Sequence, residues 1–278
     1  METQDAHGGT ITDEGVVYEN LAEVLQVLGG ANPVTGPIAL DSLRAGDCLK
    51  VDILDIEGAP ETGFGYMNTT PTLHPDLSAK TTIVRRDGDS VMLPTARGPV
   101  AIPYRPMIGT LGVAPASGRI ESFAQRPDIL GNVDLLELGT GAEVVLRANV
   151  DGGMLSLGDA HLTQGDAEIH RSAIETHADV TLSLSHLDVS SASFVELPQI
   201  NTASRLGSVA PGPGHLEDLV RAAYDDLAGR LHRFHGFSLG DAYRLLGAAG
   251  RVRIGQVVPP VYSAMAMIKR SFVEDLSS

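Results

Sequence analysis

Apolar residues in this chain recur mainly with the two-residue period of β-strands, and this pattern constrains the fold more than any other feature. Residues 48–56 alternate between apolar and polar side chains, as a half-buried strand does. Similar patterns follow closely at residues 143–150, 153–157, 168–175 and 179–187. The 31 Gly and 16 Pro residues suit the tight turns between many short strands better than they suit a helical bundle. The chain therefore predicts a mainly β fold.

The period changes to that of a helix at His215. One apolar face then continues for about five turns, Ser238 predicts the N-cap of a second helix, and residues 251–258 predict a final strand. We therefore expect an α+β protein. Residues 1–200 would form a β-rich body, and residues 201–278 a small C-terminal α/β appendix packed on the same unit.

Two segments outside these elements are predicted to be irregular. They are a loop at residues 32–37 and a long Gly-, Pro- and Thr-rich loop at residues 57–80, and a third segment, an apolar tail after Pro259 and Pro260, is assigned no element. A short helix at residues 19–28 is expected to end at Gly29.

The net charge of −15 argues against nucleic acid or an anionic membrane as a partner, because both bind clustered Lys and Arg. The partner expected instead is a small neutral or cationic molecule. Cys48 is the single cysteine and lies in a strand pattern, which indicates a buried apolar residue rather than a nucleophile. The polar, acidic N-terminus does not look like a secretory signal, and no apolar run reaches about 18 residues, so we expect a cytoplasmic protein.

Residues 158–170 combine three acids and two histidines directly after an apolar strand pattern. Buried acids are costly unless they are paired, hydrogen-bonded or bound to a metal. In an extended segment Asp159 and His161 share one side, as do Asp166 and Glu168. A turn at residues 164–165 would fold the second pair over the first.

Two interpretations of this segment stay open on the residues alone. Imidazole and carboxylate ligands of this kind suit Zn²⁺ or another first-row ion. The alternative is a solvated hairpin with acidic tips. Nearby, Asn132 and Asp134 also share a face, but this pair by itself is more typical of an Asx turn than of a ligand site.

Ordered motifs along the chain resemble those of the acetamidase/formamidase family of metal-associated amidases. They include D-x-x-G-G-x-I, N-P-V-T-G-P, G-D before a strand, P-x-I-G with V-A-P, G-N-x-D, and G-D-x-H-x-x-Q-G-D-x-E, at residues 5–11, 32–37, 46–53, 106–115, 131–134 and 158–168. Two positions depart from the family pattern, since Leu130 and Ala167 stand where the family has glycine.

The resemblance implies a jelly-roll-like β body, homo-oligomerisation, and hydrolysis of short aliphatic amides such as formamide or acetamide to ammonia and a carboxylate. It also implies a divalent metal, with Zn²⁺ expected and Ca²⁺ as the alternative for a structural ion. Its expected ligands are His161 and Asp134, followed by Asp159 and Asp5.

The expected catalytic residues are Glu168, Asn132 and Asp166. Glu168 would be the general base or a further ligand, and Asn132 would orient the amide. Two alternatives stay open. In the first, the chain hydrolyses another small C–N compound, such as a urea- or guanidine-like molecule, instead of an amide. In the second, the chain is a non-catalytic, metal-binding oligomer.

Overall fold

The computed structural model describes residues 1–60, 63–69, 74, 76–187, 196–258 and 260–274. Their regular structure consists of three helices and eighteen strands. The helices are α1 (Leu21–Leu28), α2 (Leu216–Phe234) and α3 (Leu239–Ala249). The strands are β1 (Glu2–Thr3), β2 (Val34–Ile38), β3 (Cys48–Gly58), β4 (Phe64–Thr69), β5 (Lys80–Asp87), β6 (Ser90–Leu93), β7 (Val100–Pro103), β8 (Met107–Gly112), β9 (Gln125–Arg126), β10 (Leu130–Asn132), β11 (Glu143–Arg147), β12 (Leu155–Thr163), β13 (Ile174–Thr176), β14 (Ala178–Leu187), β15 (Gln199–Asn201), β16 (Arg205–Pro213), β17 (Arg251–Val258) and β18 (Val261–Lys269).

The strands form two antiparallel sheets. The first has the order β1-β14-β3-β11-β15-β16-β18-β17, and the second the order β7-β6-β5-β4-β13-β12-β8-β10-β9, with β2 also paired to β12. The main core lies between them, where Val51 and Val144 of the first sheet belong to one buried cluster with Ile108 and Leu157 of the second. The predicted mainly β fold is therefore confirmed.

The C-terminal helices form a smaller core of their own. Leu227 of α2 and Leu246 of α3 pack in one buried cluster with Ala266 and Ile268 of β18. Ser238 caps α3 as predicted, since its hydroxyl accepts a hydrogen bond from the Asp241 amide at 3.1 Å. Strands β16 to β18 nevertheless extend the first sheet. The division at residue 200 stays a prediction.

The prediction of irregular structure in these segments is partly wrong. Residues 32–37 contain most of β2, and the predicted loop at 57–80 contains β4, which pairs with β5 and β13. Of that loop, residues 61, 62, 70–73 and 75 lie outside the described residues. The apolar tail is β18, which lies between β16 and β17, while Pro259 is also outside the described residues. Gly, Pro and polar residues conceal β2 and β4, and the nearly continuous apolar sequence of β18 shows no two-residue period. In all three, pairing with neighbouring strands overrides local propensity.

The predicted strand at residues 168–175 is also shorter than expected. Only Ile174–Thr176 is a strand, and Asp166–Glu168 forms a 3₁₀ turn in which Ala167 has φ 72° and Glu168 has φ 41°. Among the helices of the described residues, none combines the length and apolarity needed to cross a membrane.

Candidate active site

His161 lies on β12, near the middle of the second sheet, and only 1% of it is exposed. Its Nδ1 atom is 3.0 Å from Oε1 of Gln164. The Gln164 amide nitrogen donates to the backbone carbonyls of Asp134 at 2.6 Å and Gly255 at 3.2 Å, which fixes Oε1 as the atom that faces the histidine. Nδ1 therefore carries a proton and donates it to Gln164, and Nε2 is directed into the site.

Nε2 of His161 faces two carboxylates. Oε2 of Glu175 is 3.2 Å away and Oδ1 of Asp159 is 3.6 Å away. A lone pair on Nε2 would repel these oxygens, so a proton or a cation must lie between them. Burial alone would lower the pKa of His161, but the negative charges of Glu175 and Asp159 outweigh it and raise the pKa well above its usual value.

Asp134 follows β10 and is completely buried. Its Oδ2 atom accepts hydrogen bonds from the Asn132 side-chain amide at 2.7 Å and from the Gln256 side-chain amide at 3.0 Å. Its Oδ1 atom has no hydrogen-bond partner. Burial, and then the charge of Asp159, raise the pKa of Asp134 well above its usual range. One carboxylate oxygen is thus held in place while the other is left available.

Glycine at position 109 makes room for these acids. A Cβ atom there would clash with Oδ1 of Asp134 and would lie 2.7 Å from Oδ2 of Asp159. The latter oxygen accepts a hydrogen bond from the Asn32 side chain at 3.0 Å. Asp159 and His161 lie on the same side of β12, as the strand alternation predicts.

The side chain of Glu168, which lies in the 3₁₀ turn, is directed towards Asp134 and His161. One carboxylate oxygen lies within 4.8 Å of ligand atoms of both Asp134 and His161, although the residue as a whole is only partly buried. Burial raises the pKa of Glu168 well above its usual value, and the charge of Asp134 raises it further. Asp166 does not share this side, because the turn replaces the extended backbone that the alternation assumes. Its exposed carboxylate pairs with Arg253 instead.

We call the five ionisable groups of this site the acid–histidine cluster; they are Asp134, Asp159, His161, Glu168 and Glu175. Two sets within it have ligand atoms close enough to hold one ion, Asp134–His161–Glu168 and Asp159–His161–Glu175. Oδ1 of Asp134 is buried without a hydrogen-bond partner, and Nε2 of His161 and Oε2 of Glu175, buried 3.2 Å apart, make no well-formed hydrogen bond; a bound cation would remove both costs. One imidazole nitrogen with carboxylate oxygens is a donor set that suits a divalent first-row ion. The residues therefore fit the expected metal.

The remaining predicted residues lie beside this cluster. Oδ1 of Asp5 accepts hydrogen bonds from the His7 and Gly9 amides and from the Tyr66 hydroxyl at 2.9 Å, and Asp5 is in neither set of three. The Asn132 side chain also has its own partners, since Oδ1 accepts from Thr110 and from Asn32 at 3.0 Å while Nδ2 donates to Asp134.

Three further residues contribute to the site and are not among those predicted from the sequence. Glu175 is an acid next to apolar residues in a short strand, and this placement was the one signal that could have identified it. Gln164 and Gln256 act through hydrogen bonds to residues distant in sequence, which local patterns do not reveal.

A cavity of about 470 Å³ reaches Thr110, although none of the five residues of the acid–histidine cluster lines it. Its wall is mainly apolar and includes Val113, Ile129 and Met154, together with Thr110. The Thr110 hydroxyl donates to Asn132, so this residue belongs both to the cavity wall and to the network that holds Asp134.

The sequence model of the Acetamidase/Formamidase family matches residues 1–130 and 124–268. The fold is similar to that of an acetamidase from Bacillus halodurans, with a TM-score of 0.87, 29% identity, and coverage of 100% of this chain and 90% of that one. An acetamidase from Yersinia enterocolitica gives a TM-score of 0.87 at 30% identity, covering 98% of this chain and 82% of that one.

A curated Schizosaccharomyces pombe protein, whose name reads "Putative formamidase", is 38% identical over 73 residues. That match spans 26% of this chain and only 18% of the relative's length. The family match, by contrast, covers nearly the whole chain and includes all five members of the acid–histidine cluster. The chain therefore belongs to the Acetamidase/Formamidase family, and the acid–histidine cluster is the candidate active site of an amidase.

Proposed function

We propose that the protein hydrolyses the C–N bond of a short aliphatic amide to ammonia and a carboxylate, with a divalent metal, Zn²⁺ as first choice, in the acid–histidine cluster. The observation that carries the proposal is that three buried ligand atoms, Oδ1 of Asp134, Nε2 of His161 and Oε2 of Glu175, make no hydrogen bond, although the last two lie only 3.2 Å apart. The acetamidase names of the structural relatives support the choice of substrate.

The ligands we propose are His161, Asp134, Asp159 and Glu175. Asp5 ranks behind them because one of its oxygens already accepts three hydrogen bonds. When bound, a divalent ion would supply Lewis acidity, which activates an amide carbonyl and acidifies water. Gln164 contributes by holding Nδ1–H of His161, so that Nε2 is the atom presented to the ion.

Glu168 is the proposed general acid and base. Burial, and then the charge of Asp134, raise the pKa of its carboxyl well above the usual value, which is the direction that favours proton exchange by a general acid and base. In the proposed mechanism its carboxylate takes a proton from the attacking water and delivers it to the departing nitrogen. Asn132, predicted to orient the amide, positions Asp134 through its side-chain amide and lies beside the site.

The test is ammonia release by the purified protein from a panel of amides, with and without a chelator. The panel extends from formamide and acetamide to amides with longer acyl chains, because an apolar cavity is lined in part by Thr110, whose hydroxyl contacts Asn132. It also includes urea- and guanidine-like compounds. We expect release from at least one short amide, loss of that release with chelator, and recovery when Zn²⁺ is restored.

Glu168→Gln tests the assigned acid–base role, and we expect turnover to fall by about 10²-fold or more while metal content is retained. Unchanged turnover would exclude that role. No release from any amide by folded, metal-loaded protein would contradict the proposed function.

A further inference from the structure

The turn that carries Glu168 has a strained backbone and one well-formed backbone hydrogen bond, from the Arg171 amide to the Glu168 carbonyl at 2.9 Å. Ala167 and Glu168 both have positive φ values, a region that residues with a Cβ atom disfavour. The hydrogen bond that closes the turn, from the Glu168 amide to the Gly165 carbonyl, is long at 3.4 Å. The Asp166 side chain is 60% exposed, and the turn lies against β17. A side-chain contact from β17 can therefore help to keep Glu168 in place.

Arg253 on β17 is placed to do this. Its Nε donates to both carboxylate oxygens of Glu137, at 3.0 and 3.2 Å, and Nη2 lies 2.9 Å from Oε1 of the same residue. Its Nη1 donates to Oδ1 of Asp166. One guanidinium thus bridges two acids, of which Glu137 is nearly buried.

The segment that carries Glu137 is held in place by hydrogen bonds to neighbouring strands. Glu137 follows Asp134 by three residues, and the Leu138 carbonyl in this segment accepts a hydrogen bond from the Ile108 amide of β8 at 3.1 Å. Gln256, three residues beyond Arg253 on β17, donates to Asp134 Oδ2. Arg253 therefore connects the strained turn to the fixed segment that carries Asp134.

We propose that Arg253 is a positioning residue that keeps Glu168 in the candidate active site by linking Asp166 to Glu137. The inference rests on the role of Glu168 proposed above, and it gives Asp166 a part in positioning rather than in catalysis. Only a guanidinium can present a two-pronged face to one carboxylate and a further N–H to a second, so lysine at this position would lose one of the two contacts.

The first experiment measures the mobility of the turn directly. The chain contains no Trp, so Ile169→Trp, at an exposed position next to Glu168, introduces a single tryptophan that can be excited apart from the six tyrosines. In this background we expect Asp166→Asn and Arg253→Gln each to raise the acrylamide quenching constant about twofold and to lower the fluorescence anisotropy, because the turn opens locally. Asp166 is on the surface, so its variant should fold even if the Arg253 variant does not.

The matched control is Arg244→Gln, which breaks the exposed Arg244–Asp241 pair on α3 and should leave both fluorescence signals unchanged. Unchanged quenching and anisotropy in Asp166→Asn would overturn the inference. This readout needs no substrate, so it decides the positioning role even if the protein hydrolyses none of the amides tested.

Kinetics then connect the turn to the chemistry. We expect Asp166→Asn and Arg253→Gln each to lower kcat by about 10- to 100-fold with little change in KM. The double variant should be no worse than either single variant, because both remove the same link. Arg253→Lys should recover only part of the loss. Additive effects, or a change confined to KM, would contradict the proposal while leaving the amidase assignment intact.

Discussion

Two groups of acids, one on each sheet, are neutralised in different ways. On the first sheet Lys50 lies 3.1 Å from Asp52 and 3.2 Å from Glu143, and Asn201 donates to Glu143 at 2.9 Å. We call Lys50, Asp52 and Glu143 the Lys50 cluster. In the acid–histidine cluster, no ion pair in the described part of the chain joins any of the four acids to Lys or Arg.

The backbone conformation also differs between the two clusters: it is regular in the Lys50 cluster and strained in the acid–histidine cluster. Asp52 and Glu143 are cross-strand neighbours in the regular pairing of β3 with β11. Asp134, Asp159 and Glu168 all have positive φ values, between 41° and 57°. Strained backbone and buried acids without a Lys or Arg partner persist where the rest of the fold enforces them, and they concentrate at functional sites. The Lys50 cluster supplies its own cation, whereas the acid–histidine cluster is arranged to receive one.

Among the variants of the two clusters, Asp134→Asn should have the largest effect on activity. The change keeps the side-chain shape but removes the charge next to the proposed ion, so we expect kcat/KM for the best amide to fall by about 10³-fold, or about 4 kcal/mol. Zn²⁺ affinity from calorimetry should fall with it. Glu143→Gln makes the same chemical change in the Lys50 cluster and should leave both quantities unchanged. Equal losses in the two variants would show that the clusters do not differ in function.

The backbone contrast predicts opposite effects at two positions near the site. Leu130 (φ 74°) is completely buried, so Leu130→Gly should relieve strain but lose about 2–4 kcal/mol of unfolding free energy through the cavity it leaves. Ala167 (φ 72°) is only partly buried, so Ala167→Gly should gain about 0.5–1 kcal/mol. Urea unfolding measures both. A loss in Ala167→Gly would show that the turn is not strained.

These two positions also show how far sequence reasoning reaches. The resemblance identifies Leu130 and Ala167 as departures from glycine, but only the structure shows that both have the left-handed backbone that glycine tolerates best. Regular elements were predictable because a single period extends along them: β17 has the predicted bounds and α2 the predicted length. Strands β4 and β18 were not predictable in this way, because they are defined by their pairing with other strands and not by their composition.

The candidate site was predictable in part for the same reason. Asp159 and His161 are two residues apart on a true strand, so alternation places them together correctly. Asp166 and Glu168 have the same spacing, but the 3₁₀ turn separates them, one towards Arg253 and the other towards Asp134. Glu175 enters through pairing of β13 with β12, a long-range contact that no local period encodes.

The free energy of unfolding without metal gives a further test of the difference between the two clusters. In chelated protein Asp134 Oδ1 is a buried acceptor with no partner, and the charge of Asp159 disfavours ionisation of Asp134. Asp134→Asn should therefore raise the free energy of unfolding by about 1–3 kcal/mol, while abolishing the stabilisation that added Zn²⁺ gives the wild type. Glu143→Gln should instead lower stability slightly. Destabilisation of chelated Asp134→Asn would mean that the acids are already compensated within the protein.

The smallest expected effect is the pH dependence of the Lys50 cluster. Burial alone would raise the pKa of Glu143, but hydrogen bonds from Asn201 and Lys50 outweigh it and lower the pKa below its usual 4.5. A carboxyl whose pKa is lowered by folding stabilises the protein above its unfolded pKa, and this contribution disappears as the pH falls through the folded pKa.

The hydrogen bond to Asp52 is the largest cause of the raised pKa of Lys50, so the lysine's contribution persists until the pH rises above about 10.5. The difference in unfolding free energy between wild type and Glu143→Gln should stay below about 1 kcal/mol, because the pair is partly exposed, and should be constant near neutral pH. It should shrink below about pH 4.5 in urea titrations. A difference that grew on acidification would mean that Glu143 is held uncompensated, as the acids of the acid–histidine cluster are, and the contrast between the two clusters would not hold.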